Sequence, residues 1–246
     1  MRQLLFIAVA ACAASAPSAQ AFDLPEVTYP RIAERAATPE EFVPPGWRLE
    51  HLARGRLDSD AREDALLVLR MDAAANVVDN DGMGPPRFDT NPRMLLALVA
   101  EADGRWRRVM VDHRLVPRPE SPVMSDYLGD DAGAAVVIRA NRTWAVSLDS
   151  FASAGSWTMS HRTFTFRLEG DCMRLVGFDQ NSVHRASGAT LTESVNYLTG
   201  RAWTQAGTIS DAPGPQQPMR LQSKAPVCIT DIGNGFGFEP ALTATR

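Results

Sequence analysis

Four histidines are the side chains of this sequence best suited to acid–base catalysis, and none of them lies in a known catalytic motif. They are His51, His113, His161 and His184. A hydrolytic site needs a nucleophile, a base and an orienting acid within hydrogen-bond reach. No His-Glu-x-x-His, Gly-x-Ser-x-Gly or cysteine–histidine signature supplies them. The sequence therefore predicts ordinary histidines on strands or turns, and the alternative is a hydrolase whose site assembles only in three dimensions.

The segment SFASAGSW, residues 150–157, joins two predicted strands with small residues flanked by two aromatic rings. An exposed Trp157 in such a loop is suited to stacking on a sugar or a peptide. Buried aromatic rings are common in sheets, and this favours the packing of both Phe151 and Trp157 in the core. We predict the packed arrangement and keep the stacking surface as the alternative.

The sequence GRLDSDARED, residues 55–64, stands directly before a predicted strand at residues 65–71. It resembles the Gly-Asp-Leu-Asn-x-Asp-Gly-x-x-Asp loop of FG-GAP and VCBS-type repeats, in which alternate side chains coordinate calcium through oxygen. The resemblance runs from FVPPGW at residues 42–47 to NPR at residues 91–93, and more loosely over residues 156–179. It covers most of the mature domain, which is similar to small secreted FG-GAP-like proteins of unassigned function.

The resemblance implies three candidate calcium ligands, Asp58, Asp60 and Asp64. Two positions depart from the family pattern, because Arg56 occupies the first ligand position and Ala61 replaces the glycine of the sharp turn. A cation repels calcium, and a Cβ atom disfavours positive φ. Arg56 or Arg62 is also placed to neutralise the acidic cluster. We expect a solvated acidic turn with weak or absent calcium binding, and no other cofactor.

The N-terminal residues 1–21 have the features of a secretory signal peptide. Arg2 gives a positive start, the apolar run at residues 4–14 is too short to span a bilayer, and AQA at residues 19–21 is a small-x-small cleavage site. We predict cleavage after Ala21 and a periplasmic or secreted location. The alternative takes VAAC at residues 9–12 as a lipoprotein box, in which Cys12 is lipidated and retained.

Cys172 and Cys228 are the two cysteines that remain once this leader is removed. In an exported, oxidising compartment an even count favours one disulfide. Closing a loop of about 57 residues would contribute about 4 kcal/mol through the entropy of the unfolded chain. The alternative is a pair of buried free thiols.

Charge and hydropathy exclude two classes of partner. Removal of Arg2 with the leader reduces the 25 basic residues to 24, against 29 acidic ones, which gives a formal charge of −5. Such a surface repels nucleic acid and anionic lipid, because no basic cluster is present to neutralise phosphates. No second apolar run approaches spanning length, so we expect no integral membrane segment. The expected partner is an unknown protein or a glycan.

Most of the remaining sequence consists of short apolar runs bounded by Gly, Asp and Asn, the pattern of β-strands. The predicted β domain covers residues 46–209, between a proline-rich arm at residues 22–45 and an irregular tail at residues 210–246 that the disulfide would pin. The candidate strands are residues 47–53, 65–71, 93–100, 106–113, 134–139, 143–151, 157–168, 172–180, 194–198 and 202–208.

Two parts of this domain resemble each other. ALLVLR at residues 65–70 recurs in kind as AAVVIR at residues 134–139, and the hairpin around Asp103-Gly104 is echoed around Glu169-Gly170. Offsets of roughly 70 residues indicate an internal duplication, covering about residues 46–113 and 125–180. We predict an all-β, mostly antiparallel fold of two repeated four-stranded meanders, arranged as a sandwich or like propeller blades.

These features favour an exported, non-enzymatic β-sheet protein that binds or interacts with a partner. The hydrolase is the alternative, and a structural envelope protein is a third possibility. A deep cleft joining a histidine, a carboxylate and a hydroxyl would favour the hydrolase, whereas a flat or shallow surface would favour binding.

Overall fold

The computed structural model describes residues 24–245. The predicted leader, its cleavage site after Ala21 and the alternative lipidation site Cys12 lie outside the described residues. Within the described range the strands are β1 (Arg35–Ala36), β2 (Trp47–Gly55), β3 (Asp64–Met71), β4 (Val77–Asp79), β5 (Arg87–Asp89), β6 (Arg93–Ala100), β7 (Trp106–Asp112), β8 (Val136–Ile138), β9 (Thr143–Ser150), β10 (Thr158–Glu169), β11 (Cys172–His184), β12 (Ala189–Asn196), β13 (Arg201–Thr208), β14 (Gln217–Leu221) and β15 (Leu242–Ala244). The helical elements are α1 (Ala132–Ala135), α2 (Ile229–Ile232) and the 3₁₀ turns Pro39–Phe42 and Ala74–Asn76.

The strands form antiparallel sheets. The first sheet has the order β1-β7-β6-β3-β2, the second has the order β15-β14-β13-β12-β11-β10-β9-β8, and β4 pairs with β5 in a separate hairpin. Apolar side chains of both large sheets share one core, as in a β-sandwich. The prediction of an all-β antiparallel fold is confirmed, and the sandwich is the arrangement adopted.

The first sheet is covered on both faces. Its central strands β3 and β6 are buried along nearly their whole length, which explains why they read as continuous apolar runs. Leu66 and Val68 pack against the second sheet. Leu67 and Leu69 point the other way and pack with Phe42 of the N-terminal arm. The proline-rich arm therefore acts as a third layer that closes the outer side of this sheet.

The second sheet is buried along one face and mostly open on the other, where Thr143 and Ala145 of β9 are also buried. The period of two in β9 and β10 turns Trp144, Phe164 and Phe166 into the shared core, where each is 0 % exposed. The intervening residues point outwards, and Asp149 and His161 among them are exposed. This open face is the part of the sandwich that is available to a ligand.

The prediction of an irregular tail at residues 210–246 is wrong in part, and the β domain extends beyond residue 209. β14 pairs with β13 and β15 pairs with β14, so the second sheet continues through the C-terminal segment. The physical reason is the otherwise open edge of β13, whose backbone groups need partners. The sequence did not predict β14 as a strand because it contains Pro218. Proline has no backbone N–H to donate to a neighbouring strand, so its presence argues against a strand.

The C-terminal segment is also tied to the second sheet by side chains. Cys172 and Cys228 form a disulfide with Cα atoms 5.5 Å apart, which confirms the predicted pairing. The buried Arg162 of β10 donates from Nη1 to the carbonyl oxygens of Gly235, Phe236 and Phe238, at 3.1, 2.9 and 2.8 Å. One covalent bond and one buried guanidinium thus hold this segment in place.

The segments of the predicted duplication occupy different places in the sandwich. Residues 65–70 lie in β3 at the centre of the first sheet, whereas residues 134–139 begin in α1 and continue into β8 at the edge of the second. The hairpins β6–β7 and β10–β11 do correspond. However, β3 pairs directly with β6, while β9 lies between β8 and β10. The two runs are also buried differently, because residues 65–69 are all buried whereas only Ala135 and Val136 are buried within residues 134–139. Each large sheet does contain four antiparallel neighbours in chain order, β2-β3-β6-β7 in the first and β8-β9-β10-β11 in the second.

Among the described residues, no helix has the length and apolar character required to cross a membrane.

Candidate functional site

The acidic loop before β3 uses its carboxylates to hold the backbone. Asp64 is 0 % exposed. Its Oδ2 accepts hydrogen bonds from the backbone N–H groups of Leu57 and Asp58, at 2.7 and 3.2 Å, and its Oδ1 accepts from Ala100 N–H at 3.0 Å. Burial raises the pKa of Asp64, and the three N–H donors offset this only in part. Asp64 therefore joins the loop to the end of β6.

The other two candidate ligands form successive tight turns. Asp58 Oδ1 accepts from Asp60 N–H at 2.9 Å, and Asp60 Oδ1 accepts from Arg62 N–H at 2.7 Å. Arg62 also pairs with the Asp60 carboxylate, as predicted for one of the two arginines, whereas Arg56 is exposed and makes no ion pair within residues 24–245. In the described part of the chain, no group of three or more His, Cys, Asp or Glu side chains is arranged to hold a metal ion.

Replacing Asp64 with alanine is expected to lower the free energy of unfolding by about 3 kcal/mol, because three backbone donors lose their acceptor in a buried site. Urea denaturation of the two proteins measures the difference. Glu63→Ala, at an exposed neighbouring position, is the control and should change stability little. Equal stability of Asp64→Ala and the wild type would contradict the structural role.

An acid, a histidine and two hydroxyls form a continuous series of hydrogen bonds on the open face of the second sheet. Asp149 Oδ1 is 2.8 Å from His161 Nδ1, and His161 Nε2 is 3.2 Å from Thr163 Oγ1. Thr163 Oγ1 is in turn 2.9 Å from Ser147 Oγ. The register of β9 and β10 places Asp149 opposite His161 and Ser147 opposite Thr163. The two-residue strand period keeps all four on one side.

The same register extends these residues into two rows that cross β9, β10, β11, β12 and β13. We call the rows the polar face, and they consist of Asp149, His161, Asn181, Thr192 and Gln205, and of Ser147, Thr163, Asp179, Ser194 and Trp203. Thr192 donates to Asn181 at 2.8 Å, and Ser194 donates to Asp179 at 2.6 Å. Five strands at about 4.8 Å give each row a length of about 19 Å.

An aromatic corner, formed by Phe151, Trp157 and Arg185, flanks the polar face. Trp157 is 63 % exposed and Phe151 is 38 % exposed, so the prediction that both rings pack in the core is wrong. The guanidinium carbon of Arg185 lies 4.7 Å from the centre of the Phe151 ring and 6.0 Å from that of Trp157. Arg185 Nη2 donates to the carbonyl oxygens of Ala152 and Ser156, which fixes the guanidinium between the rings.

A shallow hollow of about 310 Å³ joins the aromatic corner to the polar face. Its apolar wall consists of Phe151, Met159 and Val183, and Asp149 and His161 lie on its polar side. The hollow is open to solvent, since Met159 is 38 % exposed. The arrangement provides an apolar platform next to hydrogen-bonding groups.

The comparisons give this chain no family. It matches no family model, and neither curated proteins nor solved structures gave a match. The resemblance to FG-GAP-like proteins therefore stays a prediction.

Sequence reasoning missed the partners of His161. Two other histidines lie close to an acid in the sequence, His113 directly after Asp112 and His184 five residues after Asp179. They make other contacts: the His113 ring stacks on Tyr29 at 3.9 Å, and His184 Nδ1 lies 2.9 Å from Ser187 Oγ. The alternation in β10 was visible in the sequence and places His161 and Thr163 on one face. The register that brings Asp149 to His161 was not visible, because residues 150–157 give no turn of defined type.

A second group of charged side chains is closed to ligands. Arg93 is 4 % exposed. It binds the carboxylates of Glu50, at 2.6 and 2.9 Å, and of Asp126, at 2.8 Å. Arg70 lies 3.5 Å from Glu50. Burial alone would raise the pKa of both carboxyls, but the hydrogen bonds and charge of Arg93 outweigh it, and the pKa values of Glu50 and Asp126 lie below their usual range.

Proposed function

We propose that this protein is an exported binding protein that holds a glycan on its polar face. The observation that carries the proposal is the exposed pair of rings at one end of the polar face: Phe151 lines the hollow together with Asp149 and His161, and Arg185 connects the Phe151 ring to that of Trp157. A saccharide ring has hydroxyls at its edge and apolar C–H groups on its faces. An aromatic platform next to side-chain donors and acceptors complements both features.

The shape of the surface supports the same proposal. The polar face is broad and open, and the hollow beside it is shallow, so an extended chain of sugars fits better than a small enclosed metabolite. Double-sheet sandwiches carry lectin domains, and this is support by fold analogy only. The disulfide supports export, because such bonds persist in oxidising compartments. Kinship with FG-GAP-like secreted proteins is part of the proposal.

A hydrolase is the second candidate, and the contacts from Asp149 through His161 to Thr163 favour it. In that reaction Thr163 Oγ would attack the acyl carbon of an ester while His161 Nε2 accepts the hydroxyl proton and passes it to the departing alcohol, and water would then hydrolyse the acyl-enzyme. An oxyanion developing there needs hydrogen-bond donors that are not already in use, and backbone N–H groups are a common source of them. Asp149 N–H donates to Tyr127 O, and β10 is paired on both sides. Free backbone donors are thus lacking beside Thr163, and we favour binding.

Trp157→Ala is expected to weaken glycan binding at least tenfold, because an exposed aromatic anchor carries a large share of the energy at such a surface. The measurement is a fluorescence titration of the purified protein with a panel of soluble oligosaccharides. Met83→Ala, an equally exposed apolar residue in the β4–β5 connection, is the control and should bind like the wild type.

Two results would overturn the glycan proposal. One is the absence of binding to every oligosaccharide of a broad panel, and the other is unchanged affinity in Trp157→Ala. Thr163→Val separates binding from hydrolysis, since a nucleophile's loss would reduce turnover by several orders of magnitude. Hydrolysis of p-nitrophenyl acetate that disappears in Thr163→Val would favour the hydrolase. A binding protein without hydrolase activity shows no such hydrolysis in the wild type, and in it Thr163→Val weakens glycan binding, because Thr163 belongs to the polar face.

A further inference from the structure

A second cavity lies at the opposite end of β10 from the aromatic corner. It has a volume of about 420 Å³. Arg107 of β7, Arg142 of the β8–β9 turn and Arg167 of β10 line it, and Asp58 and Ser59 of the acidic loop lie on another wall. His161 and Arg167 are six positions apart in β10, which is about 20 Å at roughly 3.3 Å per residue. The cavity is therefore separate from the polar face.

The carboxylates around this cavity do not neutralise its arginines. Glu169, which also lines the cavity, is shared, because its Oε2 accepts from Arg174 at 2.8 Å while its Oε1 binds Arg167. Hydrogen bonds from Arg174 and Arg167 lower the pKa of Glu169, so this carboxylate is fully ionised at neutral pH. One negative charge therefore serves two guanidinium groups.

The other arginines of the cavity are also under-compensated. Glu101 binds Arg35 at 2.8 Å and Arg107 at 3.2 Å, so it too is divided between two cations. Arg142 is exposed and makes no ion pair within the described residues. Its φ of 61° is the one positive value at a non-glycine residue in the described range. Holding a side chain in this conformation has an energetic cost. The cavity thus concentrates positive charge in a protein whose overall charge is −4.

We propose that this cavity binds the oxyanion of a small hydroxylated acid, such as a uronate or a sugar phosphate. Guanidinium groups bind carboxylate and phosphate oxygens through paired, charge-assisted hydrogen bonds. Asp58 would repel a bare anion, but its carboxylate accepts a hydrogen bond from a ligand hydroxyl, and Ser59 offers a hydroxyl next to it. The three arginines bind the acid group of the ligand, and Asp58 and Ser59 of the acidic loop form hydrogen bonds with its hydroxyls.

The proposal gives the acidic loop a role without calcium. Its backbone is fixed by Asp64 inside the fold, which leaves Asp58 and Ser59 at the cavity. The ligand's acid group is a carboxylate in a uronate and a phosphate in a sugar phosphate, and the shared chemistry is an oxyanion beside hydroxyls. This site is independent of the glycan proposal, because Trp157 and His161 do not line it.

The experiment is calorimetric titration of the full, disulfide-bonded protein with glucuronate, glucose 6-phosphate and neutral glucose at constant low ionic strength. We expect at least one of the two acids to bind at least tenfold more tightly than glucose, and its affinity to fall as salt is added. Comparison of the two acids shows whether carboxylate or phosphate is preferred. Equal binding of glucose and both acids, or no binding of either acid, would overturn the proposal.

Arg142→Ala is the decisive variant, because Arg142 supports no ion pair in the described fold and its loss should leave stability intact. We expect it to weaken binding of the preferred acid at least tenfold. Arg220→Ala removes the same charge from an exposed position of β14 and should leave affinity within twofold. Trp157→Ala should also leave it unchanged, which separates this site from the polar face. Undiminished binding in Arg142→Ala would contradict the assignment.

Discussion

Arg93→Ala is expected to lower the free energy of unfolding by about 4 kcal/mol, because it leaves two partly buried carboxylates without their main cation. Glu50 and Asp126 both depend on this one guanidinium, and Arg70 lies too far to replace all of its hydrogen bonds. Urea denaturation at neutral pH measures the loss. Arg35→Ala, which breaks an exposed ion pair with Glu101, is the control and should have a much smaller effect.

The pH dependence of stability provides a second test of the same network. The folded-state pKa values of Glu50 and Asp126 are depressed, so their contribution is complete above their unfolded pKa values of about 4 and is lost as pH falls through the lower folded values. In Arg93→Ala most of this depression is removed, because only Arg70, Arg48 and the Leu128 N–H still oppose the effect of burial on the two pKa values. The loss of stability on acidification should therefore be smaller in Arg93→Ala than in the wild type. Parallel pH profiles for the two proteins would contradict the network.

Replacing Cys172 and Cys228 with serine together is expected to lower the free energy of unfolding by about 4 kcal/mol. The disulfide joins residues that are 56 positions apart. Closing a loop of that length lowers the entropy of the unfolded chain enough to stabilise the fold by about 4 kcal/mol. Urea denaturation of the oxidised wild type and the double variant measures it. Treating the wild type with reductant should reproduce the loss, and reductant should leave the double variant unchanged.

Amide exchange shows whether loss of the disulfide destabilises the C-terminal segment in particular or the whole fold. Cys228 precedes α2, and its neighbour Val227 accepts a hydrogen bond from Leu175 N–H of β11. Amide exchange in the double variant should therefore accelerate first in α2 and β14, while β3 and β6 retain protection close to the global stability. Two thiols that react with an alkylating agent in the native protein would contradict the bond.

The strands of the sandwich were predictable where burial and turn chemistry agree. β6 was predicted at its observed bounds, because eight mostly apolar residues end just before the turn at Asp103-Gly104. β10 and β11 were predicted for the same reason around Glu169-Gly170. β14 was missed, because its pairing is decided by the open edge of β13 and not by its own composition. Local pattern therefore identifies strands, and tertiary context decides which marginal segments join them.

The candidate site was predictable in its chemistry and not in its geometry. Trp157 was recognised as suited to stacking, yet its exposure depends on the path of residues 150–157 and on Arg185, a residue 28 positions away. Asp64 was recognised as an important carboxylate, but the resemblance assigned it to calcium, whereas it binds backbone N–H groups. The position of a carboxylate in the sequence cannot distinguish these roles, because a calcium ion and a backbone N–H group both bind to the same carboxylate oxygens.

The contacts of Arg162 make completion of the second sheet depend on the end of the chain. Its carbonyl partners lie 73 to 76 residues later, and the Phe238 ring packs 5.7 Å from that of Phe164. A chain synthesised from its N terminus therefore contains Arg162 and Phe164 well before these partners exist. A chain that ends before Gly235 lacks these contacts, so we expect it to be less stable and more readily cleaved by proteases than the full chain.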